Sequence, residues 1–293
     1  MQAELTLTKG QIVKAYWELL KPRLSMLVAF SCAFGFVLSS GPNVDWLRLA
    51  IVTIGGFLMS GASVTVNQIL EQREDGLMTR TRNRPLPSGR LGASSAALFA
   101  AIVMASSLAL LAAATNWLTV SLSFVSMILY SFVYTPLKKV GPIAVFVGAI
   151  PGALPPLLGW IANTGVMSYE AIVIFGIQFI WQFPHFWAIA WVADEDYQKA
   201  GFRLLPSGGG KDHNTSIQIM TYTLFLLPLG LIPAWIGLTG INSAVIVTLC
   251  GVGFLAQTFS LMKTGSTQSA LRIMFGSFIY LPVVQISYLL DKV

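Results

Sequence analysis

The chain has 293 residues, of which 55% are hydrophobic and 10% are charged, with a formal net charge of +6 and a mean hydropathy of +0.72. Soluble domains carry about 25% charged residues, so this composition excludes an ordinary water-soluble globule, while the 12% of aromatic residues excludes a disordered chain. The sequence therefore predicts an integral membrane protein.

The cysteines and the N-terminal segment bear on the cellular location. Cys32 and Cys250 lie in separate apolar stretches, without a second Cys or a His at metal-ligand spacing, so neither a disulfide framework nor a zinc site is expected. Glu4 and Glu18 interrupt the N-terminal segment, which lacks the basic start, apolar core and small-residue cleavage site of a signal peptide. We therefore expect the protein in a bacterial plasma (inner) membrane.

Hydropathy along the chain predicts the number of membrane-spanning helices. A spanning helix needs about 20 predominantly apolar residues, and nine such segments lie near 24–40, 47–70, 92–114, 117–135, 142–162, 168–193, 216–238, 242–262 and 270–290. The segments are uniformly apolar rather than alternating, which disfavours a membrane β-barrel. We predict a single all-α membrane domain over residues 1–293, with nine helices in a bundle around a central cavity.

The basic residues predict the orientation, because Lys and Arg in short loops are retained on the cytoplasmic side. With a cytoplasmic N-terminus, sixteen of the 18 Lys and Arg residues fall on that side, and only Arg48 and Lys292 fall on the other. The C-terminus is then expected on the opposite side. The net positive charge reflects this topology, and no nucleic-acid partner is expected because no basic patch is interleaved with stacking aromatics.

The acidic residues are concentrated in two places. One cluster follows the second predicted span and the other follows the sixth, four helices later, and each opens a long cytoplasmic loop. The members are Glu71, Glu74 and Asp75 in the first cluster and Asp194, Glu195 and Asp196 in the second. The spacing predicts two four-helix units followed by one extra helix.

The first acidic cluster belongs to a stripe of oxygen-bearing side chains. Asn67, Glu71 and Asp75 recur at four-residue intervals, which places them on one helix face at the cytoplasmic end of the second span. Stacked carboxylates repel one another unless a cation lies between them, and such oxygens suit Mg²⁺ when it also binds phosphate. The stripe therefore predicts a magnesium site.

A cluster of arginines follows the stripe directly. Arg80, Arg82 and Arg84 lie within five residues, and the guanidinium group is the side chain that best matches phosphate geometry. The loop as a whole therefore predicts a diphosphate site. The alternative is a solvated loop whose arginines only follow the positive-inside bias.

The sixth span carries a second polar stripe. Gln178, Gln182 and His185 follow one another at i, i+4 and i+7, so they share one face. Polar groups are costly in hydrocarbon and are expected to point into the bundle. One interpretation makes His185 a contact for an acceptor substrate, and the other makes it a hydrogen-bonded core histidine.

These motifs together resemble a known family. The pattern Asn-x₃-acid-x₃-Asp followed by R-T-x-x-R-P-L is similar to the first signature of the UbiA-like intramembrane prenyltransferase superfamily. The pattern P-H-F-W-A-I-A, followed by D-Y-x-x-A-G-x-x-x-L-P at residues 196–206, resembles its haem-modifying branch, the protohaem IX farnesyltransferases or haem O synthases. Segments 134–139 and 148–160 extend the resemblance, which covers residues from about 20 to about 290.

The resemblance implies an activity and its reactants. It implies transfer of a farnesyl group from farnesyl diphosphate to a vinyl group of protohaem IX with addition of water, giving haem O and diphosphate. Mg²⁺ is the implied cofactor, and haem and farnesyl diphosphate are the implied substrates. A downstream haem-modifying enzyme or terminal oxidase is a candidate recipient of the product.

The resemblance also implies roles for individual residues. The implied metal ligands are Asn67, Glu71 and Asp75, with Asp196 as the preferred member of the second cluster and Asp194 after it. The implied catalytic residues are Asp75, Asp196 and Tyr197. The implied substrate contacts are Arg80, Arg84, Tyr134, Lys138, Lys139, Gln182 and His185. His185 is then a candidate axial ligand of haem iron, and ring faces of Tyr134 and Tyr197 are expected to stabilise a cationic intermediate.

Two other functions compete with this one. A related prenyltransferase acting on a quinone precursor or a chlorophyll-type alcohol predicts no haem binding and no requirement for His185. A transporter is compatible with nine spans, intramembrane polar groups and helices interrupted by Gly and Pro. A transporter, however, has no evident use for paired acidic loops beside an arginine cluster on one membrane face.

Overall fold

The computed structural model describes residues 8–208 and 210–293. Its helices are α1 Lys9–Leu19, α2 Pro22–Ser39, α3 Trp46–Leu70, α4 Gln72–Leu77, α5 Ala93–Ala114, α6 Trp117–Ile128, α7 Thr135–Leu137, α8 Ile143–Thr164, α9 Tyr169–Val192, α10 Asp194–Lys199, α11 His213–Trp235, α12 Ile241–Thr264 and α13 Thr267–Leu290. A π-helical turn, Leu129–Tyr134, joins α6 to α7. In the described chain, nine segments are long and apolar enough to cross a membrane: α2, α3, α5, α6 to α7, α8, α9, α11, α12 and α13. The predicted all-α bundle with nine spans is confirmed.

The ends of the spans follow capping chemistry, which hydropathy does not detect. Helix α11 begins at His213 rather than at the predicted residue 216, because Oδ1 of Asp212 accepts the backbone amide of Thr215 at 2.7 Å. Asp45 caps α3 in the same way, accepting the amide of Arg48 at 3.0 Å. Each cap satisfies an amide that has no partner inside its helix.

Helix α1 precedes the first span and is amphipathic. Thr8 opens it with a capping box, and Leu19 packs in a buried cluster with Leu86 of the first cytoplasmic loop. Arg90 of that loop donates to Glu18 at 2.6 Å. Helix α1 therefore fixes the start of the bundle to the loop that carries the acidic stripe.

Helix α8 is the most buried of the spans in the described chain, and glycines bring it against α2. Gly35 lies against the backbone carbonyl of Pro156, and Gly159 lies against the backbone carbonyl of Cys32. A Cβ atom at either glycine would overlap backbone atoms of the other helix, which cannot move away as a flexible side chain can. The two helices therefore pack at backbone contact distance.

A proline in α8 connects this packing to the polar stripe of α9. Pro156 has no N–H, so the carbonyl oxygen of Gly152, four residues earlier, lacks its usual helical donor. Nε2 of Gln178 donates to that oxygen at 2.9 Å. The proline therefore creates the acceptor that holds a buried glutamine in place.

Both acidic clusters form short helices after a span. Helix α4 follows α3 and carries Glu74 and Asp75, while α10 follows α9 and carries the second cluster. The equivalent placement agrees with the expected repeat of four helices, which stays a prediction.

Candidate active site

The stripe of oxygen-bearing side chains is continuous across the junction between α3 and α4. The amide of Glu71 donates to the carbonyl of Asn67 at 2.9 Å, and the amide of Asp75 donates to that of Glu71 at 2.8 Å. Helical hydrogen bonding thus continues through the junction, and all three side chains are at least 95% buried. The predicted common face is present.

A chain of hydrogen bonds orients the amide of Asn67. Nδ2 of Asn67 donates to Oγ1 of Thr135 at 2.9 Å, and that hydroxyl donates to the carbonyl of Tyr130 at 3.0 Å. Because the hydroxyl has only one hydrogen, Thr135 must accept from Asn67, which assigns the amide nitrogen to that contact. Oδ1 of Asn67 has no hydrogen bond to another described residue and is available as a ligand.

Glu71 is paired with Lys138 across the bundle. Nζ of Lys138 lies 2.8 Å from Oε1 and 3.0 Å from Oε2 of Glu71. Only the second contact has hydrogen-bond geometry, so Oε1 is a buried oxygen without a hydrogen-bond donor. Burial would lower the pKa of Lys138, but the adjacent carboxylate outweighs it and raises that pKa. Lys138 is therefore an ammonium ion at the end of the stripe.

The remaining acids of the first cluster also have basic partners. Nη1 of Arg84 lies 2.8 and 2.7 Å from the two carboxylate oxygens of Asp75. Nζ of Lys139 lies 2.5 Å from Oε1 of Glu74. Burial opposes ionisation of Glu74, yet the hydrogen bond from Lys139 prevails and lowers the pKa of this carboxyl group. Each of these two acids is therefore paired with a basic side chain.

The second cluster contacts the first loop through Asp196. Its carboxylate accepts the backbone amides of Thr79 at 3.2 Å and Arg80 at 3.1 Å. The hydrogen bond from Lys199, at 3.0 Å, and then that from the Arg80 amide lower the pKa of Asp196 to about 2. Asp196 therefore acts in this structure as a clamp between the two cytoplasmic loops.

Tyr197 and Asp194 lie on either side of this clamp. Nη2 of Arg80 donates to the hydroxyl of Tyr197 at 3.5 Å, with the guanidinium 5.9 Å from the ring centroid. Asp194 lies 3.6 Å from Nζ of Lys211 and accepts from Gln198 at 3.0 Å. Asp194 is thus directed toward its own loop, away from the stripe.

The residues of the first stripe fit a magnesium ion that is completed by substrate. Among residues 8–208 and 210–293, no three acidic, His or Cys side chains converge as a ready metal cluster. Asn67 Oδ1 has no hydrogen bond to another described residue, and Glu71 Oε1 accepts no hydrogen bond although Nζ of Lys138 lies 2.8 Å away. Both oxygens lie on the stripe with Asp75, and Mg²⁺ commonly takes one or two carboxylates plus phosphate oxygens. Asp196 of the second cluster accepts loop amides in this structure, and its expected place in a joint ligand set with the first cluster stays a prediction.

Sequence reasoning missed Lys21, the residue that precedes α2. Its backbone is left-handed (φ 44°), which is strained for a residue other than glycine. Burial, followed by the positive charges of Arg84 and Lys138, lowers the pKa of Lys21 to about 7. The only signal in the sequence is a Lys immediately before Pro22 at the start of a span.

A largely apolar cavity of about 270 Å³ lies within the bundle next to the charged end that carries the stripe, and Tyr134, whose ring contacts Lys138, is part of its wall. Residues of α2, α3, α5, the α6–α7 segment, α8, α9 and α13 form its wall. Leu24, Leu27 and Phe278 line the cavity and are also 43–52% exposed on the outer surface. The cavity therefore opens sideways toward lipid between α2 and α13.

Two tyrosines connect the charged end to the cavity. The π-helical turn carries Tyr130 and Tyr134, whose ring centroids are 5.3 Å apart. The ring of Tyr134 lies over Gly148, where a Cβ atom would overlap it, and Nζ of Lys138 is 4.7 Å from its centroid. Local π-helical geometry is frequent at functional sites, and here it places both rings in the cavity wall.

The polar stripe of α9 faces the cavity, as predicted. Gln178, Gln182 and His185 all line it, and each is at least 92% buried. Nδ1 of His185 lies 2.8 Å from Oγ of Ser277 on α13, and the indole of Trp181 stacks on the imidazole with centroids 4.5 Å apart. The histidine is therefore held rigidly at the cavity wall.

Comparisons with family profiles and with known proteins identify the same family. A sequence profile of the UbiA prenyltransferase family matches residues 28–281. The chain is similar to a protohaem IX farnesyltransferase of Cytophaga hutchinsonii, with 50% identity over 280 residues that cover 96% of this chain and 98% of that protein.

Two solved structures share the fold. One concerns a digeranylgeranylglyceryl phosphate synthase, with a TM-score of 0.79 and 19% identity over 96% of this chain and 98% of that one. The other is a UbiA homologue from Archaeoglobus fulgidus bound to DMAPP and Mg²⁺, with a TM-score of 0.67 and 17% identity over 93% of this chain and 98% of that one.

Proposed function

The chain belongs to the UbiA prenyltransferase family, and we propose that it transfers a farnesyl group from farnesyl diphosphate to a vinyl group of protohaem IX. Water is added in the same reaction, and the products are haem O and diphosphate. The relative from Cytophaga hutchinsonii, whose name is protohaem IX farnesyltransferase, supports this choice of substrates. The nine spans support a multi-pass membrane enzyme.

One observation carries the proposal: a buried stripe of oxygen ligands, ringed by cations, stands at the charged end of an apolar cavity. The diphosphate head of the donor is expected at Arg84, Lys138 and Lys21, where two cations pair with the stripe and a lysine amine of lowered pKa is enclosed with them. The apolar tail is expected in the cavity below. Farnesyl diphosphate has a charged head joined to a hydrocarbon chain, which matches a charged site next to an apolar cavity.

The same donor set fits Mg²⁺, which we place at Asn67, Glu71 and Asp75. When bound, the ion neutralises the diphosphate and stabilises charge on the leaving group. Lys138 and Arg84 add fixed positive charge at the same place, so the allylic carbon–oxygen bond breaks toward them. Arg80 is exposed and contacts Tyr197.

The cavity supplies what an allylic cation requires. The faces of Tyr130 and Tyr134 lie just inside the charged end, where ring electrons stabilise positive charge. The apolar wall excludes stray water, which would otherwise hydrolyse the cation to farnesol. The lateral opening lets both lipophilic substrates enter from the bilayer, and His185 faces the acceptor.

Purified protein in nanodiscs, incubated with Mg²⁺, labelled farnesyl diphosphate and haemin, tests the function. A farnesylated porphyrin is expected. Label on a quinone precursor or chlorophyll-type alcohol instead would assign the related prenyltransferase activity. No diphosphate release with any acceptor would contradict the enzyme.

We also propose the cellular arrangement that the charges favour. The acidic stripe and its cations share one end of the bundle, and Arg48 and Lys292 lie toward the other. This supports a bacterial inner membrane protein with a cytoplasmic N-terminus and the C-terminus on the opposite side. A downstream haem-modifying enzyme or terminal oxidase is the proposed recipient of the product.

A further inference from the structure

The proton on the imidazole of His185 can be assigned from its partner. Oγ of Ser277 donates to the carbonyl of Met274 at 2.6 Å and lies 2.8 Å from Nδ1 of His185. A hydroxyl has one hydrogen, so Ser277 accepts at the second contact and Nδ1 carries the proton. Nε2 therefore presents a lone pair, and it has no hydrogen bond to any other residue that the structure describes.

The amide of Gln182, one helical turn away, is oriented in a similar manner. Its Nε2 donates to the carbonyl of Ala149 at 2.9 Å, and a second, longer contact of 3.4 Å reaches the carbonyl of Gln178. Both partners are acceptors, so the nitrogen is assigned to that side. Oε1 of Gln182 lies over Gly152, at a place that a Cβ atom would fill, and has no donor among the described residues.

The cavity wall therefore carries two unpartnered acceptors on one face of α9. His185 and Gln182 are 92% and 97% buried, and both line the cavity. An acceptor that no protein donor satisfies favours a ligand with hydrogens to donate. Diphosphate and the haem carboxylates offer acceptors, and an iron atom would use only the histidine.

Water is the small molecule that donates two hydrogens, and the proposed reaction consumes one water. We propose that Nε2 of His185 and Oε1 of Gln182 bind the water molecule that captures the porphyrin-stabilised cation, and that His185 accepts its proton. Ser277 is the positioning residue, because it holds the tautomer that leaves Nε2 free. This assignment rests on the proposed farnesyl transfer and deepens it.

The bonds and charges of the step balance. The carbon–oxygen bond of farnesyl diphosphate breaks, and its electron pair leaves with diphosphate. The vinyl π electrons form the new carbon–carbon bond, which leaves a cation on the carbon beside the porphyrin ring. A lone pair of the water oxygen forms the carbon–oxygen bond there. One water proton moves to Nε2 of His185, which becomes imidazolium and later releases it to solvent or diphosphate.

The hydration state of the product tests this assignment. Without a held water, the cation loses a proton instead and forms a farnesylated alkene that is lighter than haem O by one water. His185→Phe keeps an aromatic ring but removes the base, and Gln182→Leu removes the second acceptor. In both variants we expect the alkene-to-alcohol ratio, measured by mass spectrometry, to rise by about 100-fold or more, the lower range for a general base.

Two further variants serve as controls. Gln285→Leu removes an amide of equal size from the same wall, where Oε1 of Gln285 already accepts from Ser31, so its product should remain the alcohol. Ser277→Ala should raise the alkene fraction, and Ser277→Thr, which keeps the hydroxyl, should restore the alcohol. A purely structural role would lower the yield without changing this ratio.

The outcomes separate this inference from the proposed function. Product that stays fully hydroxylated in both His185→Phe and Gln182→Leu would overturn the water site. A changed Soret band of bound haem in His185→Phe, with an unchanged product ratio, would assign the histidine to iron instead. A wild-type protein that forms no farnesylated porphyrin would refute the activity itself, whereas alkene in these variants would support both.

Discussion

Arg84 holds both carboxylate oxygens of Asp75 with a single guanidinium nitrogen, at 2.7 and 2.8 Å. The carboxylate is 99% buried, whereas a quarter of the arginine side chain is exposed. The pair therefore joins the most buried acid of the stripe to the exposed side of the site. Any anion that binds there meets an arginine whose orientation is already set.

Replacement of Asp75 by Asn should separate catalysis from folding. Asn still accepts from Arg84, so the thermal midpoint should change little, while turnover should fall by about 100-fold or more, as for loss of one charge-stabilising group. Melting in detergent and product formation measure the two effects. Asp75→Ala leaves Arg84 without its partner and should lose stability as well. An Asp75→Asn enzyme with full turnover would remove this residue from the metal site.

Replacement of Lys138 and replacement of Lys139 should affect donor binding differently, although the two lysines are neighbours in sequence. Lys138 contacts Glu71 and the ring of Tyr134, with only 12% of its side chain exposed. Lys139 is 57% exposed and pairs with Glu74, and exposed ion pairs contribute only about 0–1 kcal/mol. Lys138→Gln should raise the KM for farnesyl diphosphate about tenfold or more, because it loses a phosphate contact worth roughly 1.5–3 kcal/mol. Lys139→Gln is the control, and an equal effect of both would contradict the assignment.

The lowered pKa of Lys21 predicts that this residue takes up a proton when farnesyl diphosphate binds. Its pKa is lowered from 10.5 to about 7, so above that pH the free protein holds a neutral amine, whereas bound diphosphate favours the ammonium ion. Farnesyl diphosphate with Mg²⁺, added without haem at pH 8, should therefore bind with proton uptake, and its affinity should fall as pH rises through 7. Calorimetry in two buffers of different ionisation enthalpy measures the uptake.

The matched variant for this prediction is Lys21→Arg, which remains charged at every accessible pH. It should bind the donor with less proton uptake than the wild type and with a weaker pH dependence. The same uptake in both proteins would assign the proton to another group, including the diphosphate itself.

Asp196 should act as a clamp between loops. Asp196→Ala removes the acceptor for the amides of Thr79 and Arg80, which should free the first loop for tryptic cleavage near Arg80 and Arg82. Asp196→Asn keeps one acceptor oxygen and should protect the loop in part. The Mg²⁺ concentration needed for half-maximal activity distinguishes the roles. If Asp196→Asn needs a much higher Mg²⁺ concentration for half-maximal activity while its loop stays protected, the metal-ligand role implied by the resemblance would be favoured.

The contact between α2 and α8 should be intolerant of a single methyl group. Gly35→Ala or Gly159→Ala places a Cβ atom against backbone of the opposing helix, and overpacking of this kind costs about 1–3 kcal/mol or more. Gly176 is the control, since it lies within α9 with no atom near the position of a Cβ. Gly176→Ala should leave the thermal midpoint unchanged or raise it, because alanine favours helix by about 0.5–1 kcal/mol.

The spans and the stripes could be predicted because each depends on nearby residues. In lipid the backbone must satisfy its own hydrogen bonds, so a long apolar segment forms a helix whatever surrounds it. Helical periodicity then places Asn67, Glu71 and Asp75 on one face, and the cost of polar groups in hydrocarbon turns Gln182 and His185 inward.

Local sequence patterns are thus sufficient to predict an all-α membrane bundle, its nine spans and two groups of chemically suitable side chains. Which of these side chains act together depends on helix packing, because packing brings Lys138 to Glu71 and Ser277 to His185 across 67 and 92 residues of chain. The same packing enclosed Lys21 beside the stripe and directed Asp196 to loop amides. Ion pairs and hydrogen bonds form between groups that are close in three dimensions. Periodicity along one helix does not specify which residues of a neighbouring helix lie opposite.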